Sequence, residues 1–248
     1  MHIHIMRFFI ILILFTQFLF SKNVDSIIND EYIRVGVKFD FKPFGFINSD
    51  GRIDGFEVDL IKSLIDKLNI RVKLVEVTSK NKEKMLLNDK VDIVIAGMIL
   101  NKNDKNIIFT KPYFYDEQVV LINSKKNITT FKELKGMHIG AIKGSEHLSN
   151  FLKVQPHVST ISFTEYPQLI KALSYNNIDA ITADASWAKE QVGLYHGKFK
   201  IINDIVCNNK YSIAIKSNNK KLKKTLDNLL TEMANDGTYY AIYNKWFK

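Results

Sequence analysis

The chain has 248 residues, 46% hydrophobic and 25% charged, with four prolines and eleven glycines. That balance excludes disorder and collagen-like repetition and leaves enough apolar material for one large core or two modest ones. Thirty-five basic against 26 acidic side chains give a formal charge of +9, but the lysines are scattered (Lys80, Lys82, Lys84; Lys220, Lys221, Lys223, Lys224) and read as solvated faces. No basic–aromatic motif accompanies them, so nucleic acid is excluded as a partner and only a mild preference for anionic surfaces follows.

The amino terminus differs from the rest. Arg7 is the only charged side chain before Lys22, Phe8 to Phe20 is almost wholly apolar, and Ser21 is small. This pattern predicts a secretory signal peptide over residues 1–21, cleaved after Ser21, rather than a membrane anchor, which needs roughly 20 apolar residues. Cleavage removes Arg7 and no acid, leaving the mature protein at +8. No cysteine follows the apolar run, so no lipid anchor is expected, and a soluble protein in the periplasm is. The single cysteine, Cys207, cannot form an internal disulfide and reads as a small, buried or half-buried apolar residue.

Strand and helix patterns then alternate. Tyr32–Lys38 reads as a strand that ends near Asp40–Pro43. Leu60, Ile61, Leu64, Ile65 and Leu68 share one helical face. Val72, Leu74 and Val77 mark the next strand. Val91–Ala96 is a continuous branched run suited to a strand covered on both sides of a parallel sheet. This β-α-β-α-β order gathers ligands at the carboxyl ends of its strands. After Tyr115 the pattern restarts. Gln118–Asn123 is a strand, Thr130–Glu133 has the form of a capping box, and Gly136 ends the short helix it opens. His138–Ile142 is a strand leading to Gly144-Ser145, whose backbone N–H groups either hold an anion before a helix at His147–Leu152 or form a plain turn. Pro167–Tyr175 is a helix, Asp179–Ala183 a strand, Trp187–Val192 a helix and Tyr211–Ile215 a strand. Leu222, Leu226, Leu229, Leu230 and Met233 form a helical stripe closed by Gly237, and Thr238–Phe247 follows. Two α/β units in one chain of this length imply two small lobes.

The carriers of a resemblance lie in order along Tyr32 to Lys248. They are Val35-Gly36-Val37 with Pro43-Phe44, Gly55-Phe56-Glu57-Val58-Asp59-Leu60, Val91 to Met98, and Phe109-Thr110-Lys111-Pro112-Tyr113. Leu134-Lys135-Gly136, Ile178-Asp179-Ala180 with Asp184, and Asp236-Gly237-Thr238-Tyr239 through Lys245-Trp246-Phe247 complete the series. In this order and spacing the chain resembles the amino-acid-binding branch of the extracellular solute-binding proteins of ABC transporters. The resemblance implies an α/β, two-lobed periplasmic-binding-protein clamshell with two interlobe crossings, near Tyr115–Val119 and Asn208–Tyr211. Lobe 1 is then residues 29–116 with 211–248, and lobe 2 is residues 117–210. Ligand would draw the lobes together by hinge closure.

The resemblance also implies ligand-binding residues. Asp184, after a second-lobe strand, takes the place of the acid that holds an α-ammonium; its alternative role is a helix N-cap. Phe41 stands where an aromatic packs on the ligand, or packs in the core instead. Gly97 and Ile99 lie where backbone groups meet the ligand, Ile99 replacing a Ser or Thr. The carboxylate-binding Arg of the family is missing from Asn101-Lys102-Asn103-Asp104-Lys105-Asn106. Its position falls on Asn103 or Asp104, with Lys102 or Lys105 as substitutes that supply charge without a bidentate fork. Lys38 replaces an acid five residues before the Pro-Phe pair, and Ser79 stands where an aromatic wall is common. The ligand-binding set is therefore Lys38, Phe41, Gly97, Ile99, Asp104, Gly144, Ser145 and Asp184.

No metal-ligand spacing, nucleotide fingerprint or nucleophile–base motif occurs, so binding without chemistry and without a cofactor is expected. Ser145-Glu146-His147 does not make a triad, because adjacent residues cannot supply nucleophile, base and orienting group in mutual reach. The expected partners are a small polar, amino-acid-like ligand and an inner-membrane ABC permease, with the protein itself a monomer. The alternatives are a secreted dehydratase on the same fold, such as the cyclohexadienyl dehydratases, with Glu146 as general acid, or a sensor that reports ligand to a separate membrane protein.

Overall fold

The computed structural model describes residues 32–248; the expected signal peptide, and residues 29–31 of the first lobe, lie outside the described residues. The chain opens with β1 (Tyr32–Val37), whose Val35 and Val37 are fully buried. Three short antiparallel strands follow, β2 (Asp40–Phe41), β3 (Gly45–Ile47) and β4 (Ile53–Asp54). Next come α1 (Phe56–Asp66), β5 (Arg71–Glu76), α2 (Lys82–Leu87), β6 (Ile93–Val94) and β7 (Ile107–Phe109). The second half holds β8 (Phe114–Asn123), a 3₁₀ turn at Phe131–Leu134, β9 (His138–Ile142), α3 (His147–Val154), β10 (Ser159–Phe163) and α4 (Tyr166–Ser174). It continues through β11 (Ala180–Asp184), α5 (Ala185–Leu194), β12 (Phe199–Ile201) and β13 (Cys207–Tyr211). The chain ends in β14 (Ala214–Lys216), α6 (Lys220–Asn235) and α7 (Thr238–Phe247).

Besides the small β2-β3-β4 sheet, two larger sheets result. The first has the order β5-β1-β6-β14-β7, and β1 runs parallel to both β5 and β6, as the β-α-β-α-β reading requires. The second has the order β10-β9-β11-β8-β12, with β13 also paired to β8. Here β9 is parallel to β10 and β11, while β8 is antiparallel to its neighbours. The α1 stripe of Leu60, Ile61, Leu64 and Ile65 is wholly buried, in one cluster with the β1 valines and Leu222, Leu226 and Met233 of α6. Fully burying one such side chain is worth about 1.5–3 kcal/mol. Gly55 opens α1 because nothing larger fits: its φ is 134° and a Cβ there would lie 2.2 Å from the Phe44 carbonyl oxygen.

The chain passes between the sheets along β8 and β13. These strands run antiparallel side by side, with Tyr115 opposite Lys210, Asp116 opposite Asn209 and Glu117 opposite Asn208. The expected single strand Tyr211–Ile215 is divided in two. Cys207–Tyr211 pairs with β8, and Ala214–Lys216 pairs with β6 and β7, because the backbone changes sheets at Ser212 and Ile213. The expected strand Val91–Ala96 keeps ladder pairing only at Ile93–Val94, although all its apolar side chains are buried.

Candidate functional site

Lys38 directly follows β1, Ser79 follows β5, Gly97 and Ile99 follow β6, Gly144 and Ser145 follow β9, and Asp184 closes β11. All of them line one cavity of about 50 Å³ between the two sheets, together with Lys82, Asp104, His147 and Tyr211. The carboxyl ends of the parallel strands of both lobes thus converge where an α/β sheet is expected to bind. A larger groove of about 930 Å³ runs between α5, α7 and the crossing strands. It is more open and receives no parallel-strand ends, so the smaller cavity is the candidate site.

Asp184 adopts an extended conformation ahead of α5, yet its side chain makes no capping hydrogen bond to that helix. Instead its Oδ2 lies 3.2 Å from His147 Nε2, and its Oδ1 accepts from Asn209 Nδ2 at 3.4 Å. Asp184 and His147 are 3% and 4% exposed. Burial opposes ionisation of Asp184, but the charge and hydrogen bond of His147, with Lys38 behind them, hold the carboxyl down at about 2. The structure therefore spends this carboxylate on the cavity and leaves the N-cap role unfilled.

On the facing lobe, Lys38 is 4% exposed. Its ammonium lies 4.2 Å from the Phe41 ring centroid and 5.6 Å from that of Tyr166. Burial lowers its pKa, and Asp184, Asp40 and Glu57 pull in the opposite direction. Phe41 itself does not line the cavity. Its ring stacks between Phe44 at 4.8 Å and Tyr166 of the other lobe at 5.2 Å, and forms the floor behind Gly97.

Gly97, at φ +57°, has both backbone groups engaged: its N–H donates to Glu57 Oε1 at 2.8 Å, and its carbonyl accepts from Lys82 Nζ at 3.1 Å. Glu57 also accepts from the Tyr113 hydroxyl at 2.5 Å. Burial raises the Glu57 carboxyl above its ordinary value, against those hydrogen bonds. Lys82 also donates to the Ala96 carbonyl, and desolvation with the like charge of Lys38 lowers its pKa to about 8.

Of the alternatives for the missing Arg, the structure brings Asp104 to the cavity and leaves Lys102, Asn103 and Lys105 exposed outside it. Asp104 Oδ1 accepts the backbone N–H groups of Asn106 and Ile107, at 2.7 and 2.9 Å, so it first serves its own turn. Ser145 Oγ donates to the Ile142 carbonyl at 2.6 Å, which removes it from any nucleophilic arrangement with His147. Gly144, at φ +84°, packs on the first lobe: a Cβ there would meet Lys80 Cα at 2.7 Å. Cys207 is half-buried, and burial pushes its thiol up.

Sequence reasoning missed His147, Lys82, Glu57 and Tyr211 as site residues. Only Glu57 had a readable signal, as a carboxylate in the first turn of a helix that is otherwise apolar on that side. His147 and Lys82 stand within three residues of Ser145 and Ser79, but no local pattern turns them toward the cavity.

A model of the bacterial extracellular solute-binding proteins, family 3, matches residues 33–248. ABC transporter arginine-binding protein 1 of Escherichia coli strain K12 is 31% identical over 222 residues, which cover 88% of this chain and 91% of that one. The ABC transporter glutamine-binding protein of Bacillus subtilis strain 168 is 30% identical, covering 90% and 84%. Among solved structures, an ancestral arginine-binding protein bound to arginine superposes with a TM-score of 0.83 at 30% identity, covering 88% of this chain and 99% of that chain. An ancestral amino acid-binding protein, a precursor of cyclohexadienyl dehydratase, gives 0.85 at 27% identity, covering 90% and 99%.

Proposed function

Because the chain belongs to the bacterial extracellular solute-binding proteins, family 3, we propose that it captures a small amino acid between its two lobes and delivers it to the membrane permease of an ABC transporter. The observation that carries this reading is Asp184, a buried carboxylate held ionised by His147 and turned into the interlobe cavity. It supplies what an α-ammonium needs in a desolvated site. The ligand-binding set is Lys38, Phe41, Gly97, Ile99, Asp104, Gly144, Ser145 and Asp184, with Phe41 acting as the floor beneath Lys38 and Gly97 rather than as a direct wall. Residues 29–116 with 211–248 form one lobe and 117–210 the other, and β8 and β13 are the strands about which they move. The protein binds without chemistry, works as a monomer, and reaches the periplasm by cleavage after Ser21.

A thermal-shift panel of amino acids and small anions on the exported protein tests this. A ligand at 100 times its Kd stabilises by about 2.7 kcal/mol, which for a chain of this size raises Tm by roughly 5–10 °C. An unmoved Tm across the whole amino-acid panel would refute the reading. Amino-terminal sequencing of the same material should begin at Lys22, and an intact 1–21 segment would refute the processing step.

A further inference from the structure

Lys38 has no ion pair among the described residues, in a site where Glu57 Oε2 and His147 Nδ1 also lack a hydrogen-bond partner. Asp184 is matched by His147 and Asn209. Lys82 is matched by the Ala96 and Gly97 carbonyls. Glu57 accepts from Tyr113 and Gly97 through Oε1, while its Oε2 has no hydrogen-bond partner. Asp104 caps its own turn, and Glu83 and Glu146 are exposed at the rim, where water screens them. Lys38 is 4% exposed, yet among the described residues no carboxylate comes within ion-pair distance of it and its ammonium donates no hydrogen bond to them. The Phe41 and Tyr166 rings lie beside the ammonium, and Asp184, Asp40 and Glu57 act on its charge through space. A buried ammonium with open donors at the edge of a cavity is a seat for an anion.

A basic side chain placed there would add a second positive charge in a space from which water is excluded, a repulsive element against arginine or lysine. A neutral amide could accept one hydrogen bond but would leave the charge unmatched. A carboxylate supplies both charge and acceptors. We propose that the ligand is an acidic amino acid, glutamate or aspartate, with its ammonium on Asp184 and one carboxylate on Lys38, so that Lys38 sets the specificity; the lobes stand further apart around it than around the present cavity of about 50 Å³. This inference rests on the reading of the cleft as an amino-acid site.

Calorimetry on the exported protein with glutamate, aspartate, glutamine and arginine tests it. One of the two acidic amino acids should bind at least about tenfold tighter than glutamine or arginine. Lys38→Met, which keeps the length and apolar contacts but loses the charge, should erase that preference by weakening the acidic ligand far more than glutamine. Lys38→Arg should retain most of it. Glutamine or arginine binding the wild type as tightly as the acidic ligands would overturn the inference while leaving the amino-acid reading intact. An unchanged preference in a folded Lys38→Met protein would also overturn it. Failure of every amino acid to bind would take the broader reading down with it. The wild-type panel decides the question even if the variants do not fold.

Discussion

Replacing Gly144 by alanine should weaken ligand capture from a position that offers the ligand no side chain. The residue sits at φ +84° in the loop between β9 and α3, against the Ser79–Lys80 backbone of the other lobe. A Cβ there would come within 2.7 Å of Lys80 Cα and 2.9 Å of the Ser79 carbonyl oxygen, where 3.4 Å is the near limit of ordinary contact. The lobes must therefore stand apart by about 0.7 Å at this point, and no flexible side chain can yield, because the atoms met are backbone. Overpacking of this kind costs about 1–3 kcal/mol, which corresponds to a Kd weaker by about 5- to 150-fold. A second cost, about 1–2 kcal/mol for an L-residue in the left-handed region, is local to the second lobe and independent of closure. It should lower the unliganded Tm by roughly 2–8 °C. The two effects separate experimentally: calorimetry with the best ligand of the panel reads the first, and thermal melting without ligand reads the second. A lowered Tm with wild-type affinity would show that the contact between the Gly144 loop and Ser79–Lys80 plays no part in the ligand-bound closure.

Two further predictions concern stability. Burial, followed by the like charge of Asp184, raises the Asp116 carboxyl to about 7. The folded state thus binds a proton more tightly than the unfolded chain, so stability should rise by up to about 4 kcal/mol as pH falls from 7 toward 4. Asp116→Asn should flatten this dependence in urea unfolding at several pH values, and an unaltered slope would refute the assignment. Phe56 is fully buried with its ring 5.2 Å from Phe247 and 5.5 Å from Phe114. Phe56→Ala should cost about 3–5 kcal/mol by the same measurement, and a loss below about 1 kcal/mol would show that the cluster repacks around the gap.

The order of elements was legible in the sequence wherever burial leaves a periodic trace. The α1 stripe from Leu60 to Ile65 and the α6 stripe from Leu222 to Met233 each face one core, so their spacing reports their shape. The strands read at Tyr32–Lys38 and Asp179–Ala183 likewise correspond to β1 and β11. Short pairings left no such trace. The strands β2, β3 and β4 span two or three residues each, too few for alternation, and β7 and β12 are edge strands of the two sheets. The division at Ser212–Ile213 could not be read either, since Cys207–Tyr211 carries Asn208, Asn209 and Lys210 and shows no apolar strand pattern, and only the change of sheet separates it from Ala214–Lys216.

The site divides in the same way. Position along the chain places Asp184, Gly97 and Gly144 at strand ends, because a parallel sheet sends its carboxyl ends to one side. Whether Asp184 would cap its helix or face the cavity was open until His147, 37 residues earlier in the chain, was found 3.2 Å from its carboxylate. Lys38 is an ordinary lysine in the sequence. Its burial over Phe41 and under Tyr166, a residue of the other lobe, makes it a charge in need of a partner. The sequence determines which groups are charged and where the chain must hide its apolar faces; the tertiary structure alone decides which charges lose their water, because desolvation is imposed by neighbours that no local pattern brings together.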